Sequence, residues 1–73
     1  MRKLVDSFEA VDENGDVQTI FVYQDFRKET VRGGSFFVPG LKRAFLEDGT
    51  SLNRQTDDLF IALDGRRFQR LRR

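Results

Sequence analysis

Cysteine and histidine are both missing from this 73-residue chain, and proline and methionine occur once each. Without cysteine there is no disulfide framework and no thiolate metal site to reinforce a small core, so packing or association must stabilise the fold. Without histidine or cysteine, the usual acid–base and nucleophilic partners are gone. Ser7, Ser35 and Ser51 have no recognisable activating base, and Asp57 and Asp58 are neighbours that a strand would point to opposite faces. These absences argue against an enzyme, and no cofactor or metal is expected. Long apolar runs are also missing. The opening Met1-Arg2-Lys3-Leu4 leads straight into polar positions, too short an apolar stretch for a signal peptide or a membrane span, so a cytoplasmic location and no membrane partner are expected.

Aromatic rings and charge are abundant instead. Eight phenylalanines in so short a chain suggest bulky side chains filling a thin core, and the length suits a single domain over residues 1–73. The net charge is +1 but unevenly spread. Residues 1–40 carry five basic and seven acidic side chains, and residues 41–73 carry eight basic and five acidic. From Gly65 onward there are five arginines and no acid, so an anionic partner is expected to meet this end.

Turn chemistry divides the chain into strands. Residues 4–12 alternate, with Leu4, Phe8 and Ala10 on one side and Val5 and Val11 on the other. Asn14-Gly15 reads as a two-residue hairpin turn, after which residues 16–26 return as a central strand around Thr19-Ile20-Phe21-Val22-Tyr23. Residues 27–40 read as a long loop, because Gly33-Gly34 weakens regular structure and Pro39-Gly40 suits the centre of a type II turn; a short helical turn over residues 25–31 is an alternative. Strands follow over 41–47, 50–55 and 58–63, divided by Asp48-Gly49 and Thr56-Asp57, and Asp64-Gly65 leads to a closing segment 66–73. The spacing of Phe68 and Leu71 there breaks alternation and suggests a bulge or a frayed end. The whole predicts an all-β fold: a small antiparallel meander of five to six strands curled into an SH3-like barrel or roll.

Two ligand motifs fail on spacing. Asp12-Glu13-Asn14-Gly15-Asp16 opens like a calcium loop, but glycine stands fourth rather than sixth and Tyr23 occupies the place of the bidentate glutamate. Gly33-Gly34-Ser35 lacks the following helix that a phosphate cradle needs. Val38-Pro39-Gly40-Leu41-Lys42, then Asp48-Gly49, Asn53, Asp58 and Phe60 with an arginine-rich finish, resembles short uncharacterised bacterial all-β proteins. That resemblance implies no activity, substrate or site residue.

Two functional readings remain. The first is a binding module that contacts a protein partner or a second copy of itself. It assigns Ile20, Val22, Leu59, Ile61 and Leu63 to the core and leaves Phe21, Tyr23 and Phe60 facing outward. Either Phe36 or Phe37 is expected to anchor the loop on the barrel, while Gly33-Gly34 stays mobile; exposure of both rings would make the loop the partner-binding surface. The second is nucleic-acid binding through Lys42, Arg43, Arg54, Arg66, Arg67, Arg70, Arg72 and Arg73, if their strands lie side by side. A solvated edge strand kept from aggregating by its charges is the plainer explanation of the same arginines.

Overall fold

The computed structural model describes residues 1–72. Six strands run in chain order: β1 (Arg2–Asp12), β2 (Val17–Val31), β3 (Gly34–Leu46), β4 (Ser51–Arg54), β5 (Leu59–Ala62) and β6 (Arg67–Arg70). Each pairs antiparallel with the next, and β6 returns to β1 through Ala10↔Arg70, Val11↔Gln69 and Asp12↔Phe68, closing the barrel. This is the small all-β meander that the turn signals predict. Closure removes the edges that a short open sheet would expose.

Every strand sends side chains inward. The core is Ala10, Ile20, Ala44, Leu46, Leu52, Phe60, Ala62 and Phe68, with Phe8 and Val22 packed against it. Alanine from β1, β3 and β5 leaves room for the rings of β5 and β6, which lie directly opposite each other at Phe60↔Phe68. Such alternation of small and large side chains fills a narrow lumen to native density. Of the eight phenylalanines only Phe60 and Phe68 are buried, so the aromatic excess mostly serves other surfaces.

Phe60 thus belongs inside, not outside, and the assignment of β5 by apolar run was inverted: Leu59 and Ile61 lie on the half-covered outer face and Leu63 is 86% exposed. An unbroken apolar run carries no parity of its own, so the face is set by the Phe60↔Phe68 register. Leu63 falls outside the strand altogether, in a turn. Ile20 and Val22 do face inward.

Three hairpin turns share one design, and it is not the two-residue form. Asp12 N–H donates to Asp16 O and Gly15 N–H to Asp12 O; Leu46, Thr50 and Gly49 repeat this, as do Ala62, Arg66 and Gly65. Each turn therefore has three residues ending on a glycine with φ between 86° and 92° at Gly15, Gly49 and Gly65. The preceding Asn14, Asp48 and Asp64 keep negative φ, which is the pattern of a type I turn followed by a left-handed bulge residue. Asp48 and Asp64 contribute in another way, by accepting backbone N–H bonds from Thr50 and Arg66. All three turns stand at one end of the barrel.

Those bonds make the turns acid-sensitive. Thr50 lowers the pKa of Asp48 below 3.8, chiefly through its side chain and then its backbone, and the Arg66 N–H does the same for Asp64. A carboxylate depressed in the folded state contributes stability above its unfolded pKa, and the contribution fades as pH falls through the folded value. Carboxyl titration by NMR should therefore give Asp48 and Asp64 midpoints below 3.8. Asp64→Asn should flatten the acid limb of the stability curve; an unchanged limb would show that the turn bonds do not depend on the charge.

The largest departure from the sequence reading is residues 27–40. They form no loop and no helical turn: β2 and β3 run on as one long hairpin, paired from Phe26↔Pro39 to Val31↔Gly34. Pro39-Gly40 lies within β3 at a bulge, where Gly40 and Leu41 together oppose Asp25, rather than at a turn. β1 accompanies β2 as far as Met1, whose N–H and carbonyl bond to Phe26. Beyond that point the hairpin is a two-stranded arm of about 17 Å, at about 3.3 Å per residue. The radius of gyration, 15.1 Å, records the projection, since a compact chain of this length would measure about 11 Å. Phe36 and Phe37 are 50% and 55% exposed, so neither anchors on the barrel. Of the bulge or frayed end expected near the C-terminus, the described residues show the strand ending early: β6 stops at Arg70, and Leu71 N–H bonds to Glu9 O.

Candidate functional site

Two surfaces collect the candidate residues. The first is the arm. Alternation puts Phe26, Lys28, Thr30, Ser35, Phe37 and Pro39 on one face and Arg27, Glu29, Val31, Phe36 and Val38 on the other, so Phe36 and Phe37 point opposite ways. The charges sit almost wholly on the β2 half, where Arg27 and Glu29 pair at 2.8 Å. The β3 half, residues 33–41, has no charged side chain. Among the described residues, no strand pairs with β3 between Gly34 and Arg43 on the side away from β2, because β4 joins only at Ala44 and Phe45. The arm thus carries one charged edge and one neutral, apolar edge.

The outer face of β2 holds two other candidates, Phe21 and Tyr23. Phe21 lies between Ser7 and Phe45, and Tyr23 meets Phe45 edge-on at 5.9 Å. Arg2 covers both Tyr23 and Phe45, its guanidinium 4.4 Å and 5.0 Å from the ring centres. These rings are half-covered from within the sheet, and the Phe36-Phe37-Val38 segment projects away with the arm rather than covering them. A bulge at Val5 helps produce this face. It shifts the register between Leu4 and Asp6, turning Leu4 to the outer side opposite Tyr23 while Phe8 and Ala10 stay inside.

The second surface is the barrel end opposite the three glycine turns. The bulges at Val5 and at Gly40-Leu41 both lie at this end, where β1 leaves β6 and β3 leaves β4. The opening is a cavity of about 760 Å³ floored by Phe8, Val22, Ala44, Leu52 and Phe60. Lys42, Arg43, Arg54, Arg70 and Arg72 line it, against the carboxylates of Asp6 and Asp57. Arg70 lies over the Phe8 ring at 4.2 Å, with Asp6 at 3.9 Å. Arg54 reaches Asp57 at 3.6 Å, and Arg72 bonds Asp58 at 2.7 Å. Lys42 and Arg43 meet no carboxylate among the described residues.

Five of the eight basic candidates therefore converge, and of these only Lys42, Arg43 and Arg54 lie on adjacent strands, β3 and β4. Strands β4 and β5 separate β3 from β6, and the cations meet across the open end instead. Arg66 and Arg67 are at the opposite end, grouped with Asp12, Glu13 and Asp64, and Arg66 is paired with Asp64 at 2.8 Å. Arg73 lies outside the described residues. What the sequence analysis missed is the inner wall of this site, Phe8 and Asp6 above all; the signal was the even-numbered alternation of β1, which places both with Ala10. Among the described residues no helix is long and apolar enough to cross a membrane. No family model matches the chain, and neither the curated proteins nor the solved structures contain a match to it.

Proposed function

We propose that this chain is a binding module that acts through protein contacts made by its β2–β3 arm, and that the partner is a second copy of itself. The observation that carries this reading is the uncharged, unpaired edge of β3 with Phe36 at its middle. Two-stranded ribbons are marginal in water, and three or more strands are needed for independent stability. Exposed edges are normally blunted by charge, yet charge is confined here to β2. A two-fold axis at Phe36 would pair β3 with its copy, Phe36 on Phe36, Ser35 on Phe37 and Gly34 on Val38, giving a four-stranded sheet with charged outer edges. Such an interface is isologous and closes on itself, because the same patch is used twice.

Light scattering coupled to size exclusion tests it. The wild-type chain is expected to move from monomer to dimer mass as concentration rises, and Phe36→Lys to remain monomeric with the melting temperature of the dilute wild-type monomer. A wild-type chain monomeric at every concentration would overturn self-association; a dimer that survives Phe36→Lys would place the interface elsewhere.

A further inference from the structure

The cation-lined barrel end is independent of the arm's neutral edge and calls for a different ligand. We propose that it binds a short stretch of single-stranded nucleic acid, with Lys42, Arg54 and Arg72 holding phosphates and the guanidinium of Arg70 stacking a base. Four features of the cavity support this together.

Its charge is the first. Four cations, Lys42, Arg54, Arg70 and Arg72, face two lining carboxylates, while Arg43 borders the opening from its place opposite Tyr23. The ion pairs that partly neutralise them, Arg54 with Asp57 and Arg72 with Asp58, are solvent-exposed. Pairs of that kind contribute little, so a phosphate can exchange into them at small cost. Among the described residues Lys42 has no such pair to give up.

The second feature is shape. A cavity of about 760 Å³ holds a nucleotide-sized group, and it opens toward solvent beside the arm, so a chain can enter and leave. Third, Arg70 is a planar cation backed by the ring of Phe8, which in turn rests on Phe60 with ring centres 5.3 Å apart. A guanidinium held over a ring can stack on a base by the same forces that hold it there. Fourth, Val5, Val22 and Leu41 make part of the wall beside Gln24 apolar, which suits the face of a base better than a peptide carboxylate. An acidic peptide would satisfy the cations but leave the stacking position and the apolar wall unused.

The unfavourable charges are Asp6 and Asp57 in the wall and Asp58 beside Arg72. Each is held by an arginine, which limits its repulsion of phosphate.

Fluorescence anisotropy with labelled oligo-dT and oligo-U of about eight nucleotides tests the proposal on the full-length chain. Binding is expected at low salt, with log Kd changing by about two per decade of salt for three phosphates at ~0.7 each. Lys42→Glu with Arg54→Glu should weaken binding at least about tenfold; both side chains are exposed, so the fold is kept, which circular dichroism verifies. Arg70→Lys retains the charge but loses the plane, and is expected to weaken oligonucleotide binding several-fold without changing any affinity for polyglutamate. Arg67→Glu, at the opposite end, should lower affinity far less than the double variant. Absence of binding at low salt overturns the site. Equal losses from Arg67→Glu would show diffuse attraction rather than a site. Polyglutamate binding as tight as the oligonucleotides, with Arg70→Lys harmless to both, would identify an acidic-peptide site and overturn the nucleic-acid assignment.

Discussion

Phe68→Ala is expected to remove a large share of the chain's folding stability at room temperature. Its ring is fully buried and stands directly opposite Phe60 at the centre of the barrel. Truncating a buried phenylalanine costs about 3 to 5 kcal/mol, because transfer energy and a cavity are lost together. At roughly 0.05 to 0.15 kcal/mol per residue, a domain of this length has only about 4 to 11 kcal/mol to lose. The barrel has little means of collapsing into the gap, since Ala10, Ala44 and Ala62 are already small and the strands are tied to one another around the ring. Urea denaturation is the measurement. Phe37→Ala is the matched control: the same side chain, half-exposed on the arm, should shift stability by no more than about 0.5 kcal/mol. Equal midpoints for the two variants would contradict a core centred on β5 and β6.

Hydrogen exchange should divide the molecule into two parts that differ by orders of magnitude. Amides of Ile20, Phe60 and Phe68 lie in strands paired on both sides and are expected to exchange only through global opening. With a global stability of about 4 to 11 kcal/mol, that means protection by roughly a thousandfold or more. Amides in the outer arm, from Lys28 to Thr30 and from Ser35 to Phe37, depend on a two-stranded ribbon with no third strand among the described residues. They should exchange with protection near unity in dilute solution, and β3 amides should gain protection as the chain is concentrated and the arms pair. Arm amides as slow as Ile20 in dilute solution would mean that the ribbon is stable alone, removing the energetic reason for a partner.

The same division explains why the arm was misread. Gly33-Gly34 and Pro39-Gly40 are breakers in a strand interior, and local chemistry alone favours a loop there. The structure accommodates them where each is tolerated: Gly33 and Gly34, both with positive φ, at the arm's turn, and Pro39-Gly40 at an edge bulge where no neighbouring strand asks for the missing N–H. The β5 inversion has a different origin. Leu59-Phe60-Ile61-Ala62 is apolar on both faces, and only the partner strands choose which parity faces the lumen. The basic site was legible as a set of residues and illegible as a place, because convergence across the barrel end depends on how far the strands splay at two bulges.

Composition and turn residues by themselves determined that the chain is all-β, antiparallel and a meander of five to six strands curled into a small barrel. Those properties are local: hairpin glycines, β-branched runs and alternation act over a few residues, and consecutive short connections leave few topologies open. Tertiary structure alone decided the identity of the core rings, the projection of the arm and the gathering of Lys42, Arg43, Arg54, Arg70 and Arg72 at one end. These depend on register and bulges between strands distant in sequence, where a one-residue shift exchanges the inside for the outside and no short window of the chain records which was taken.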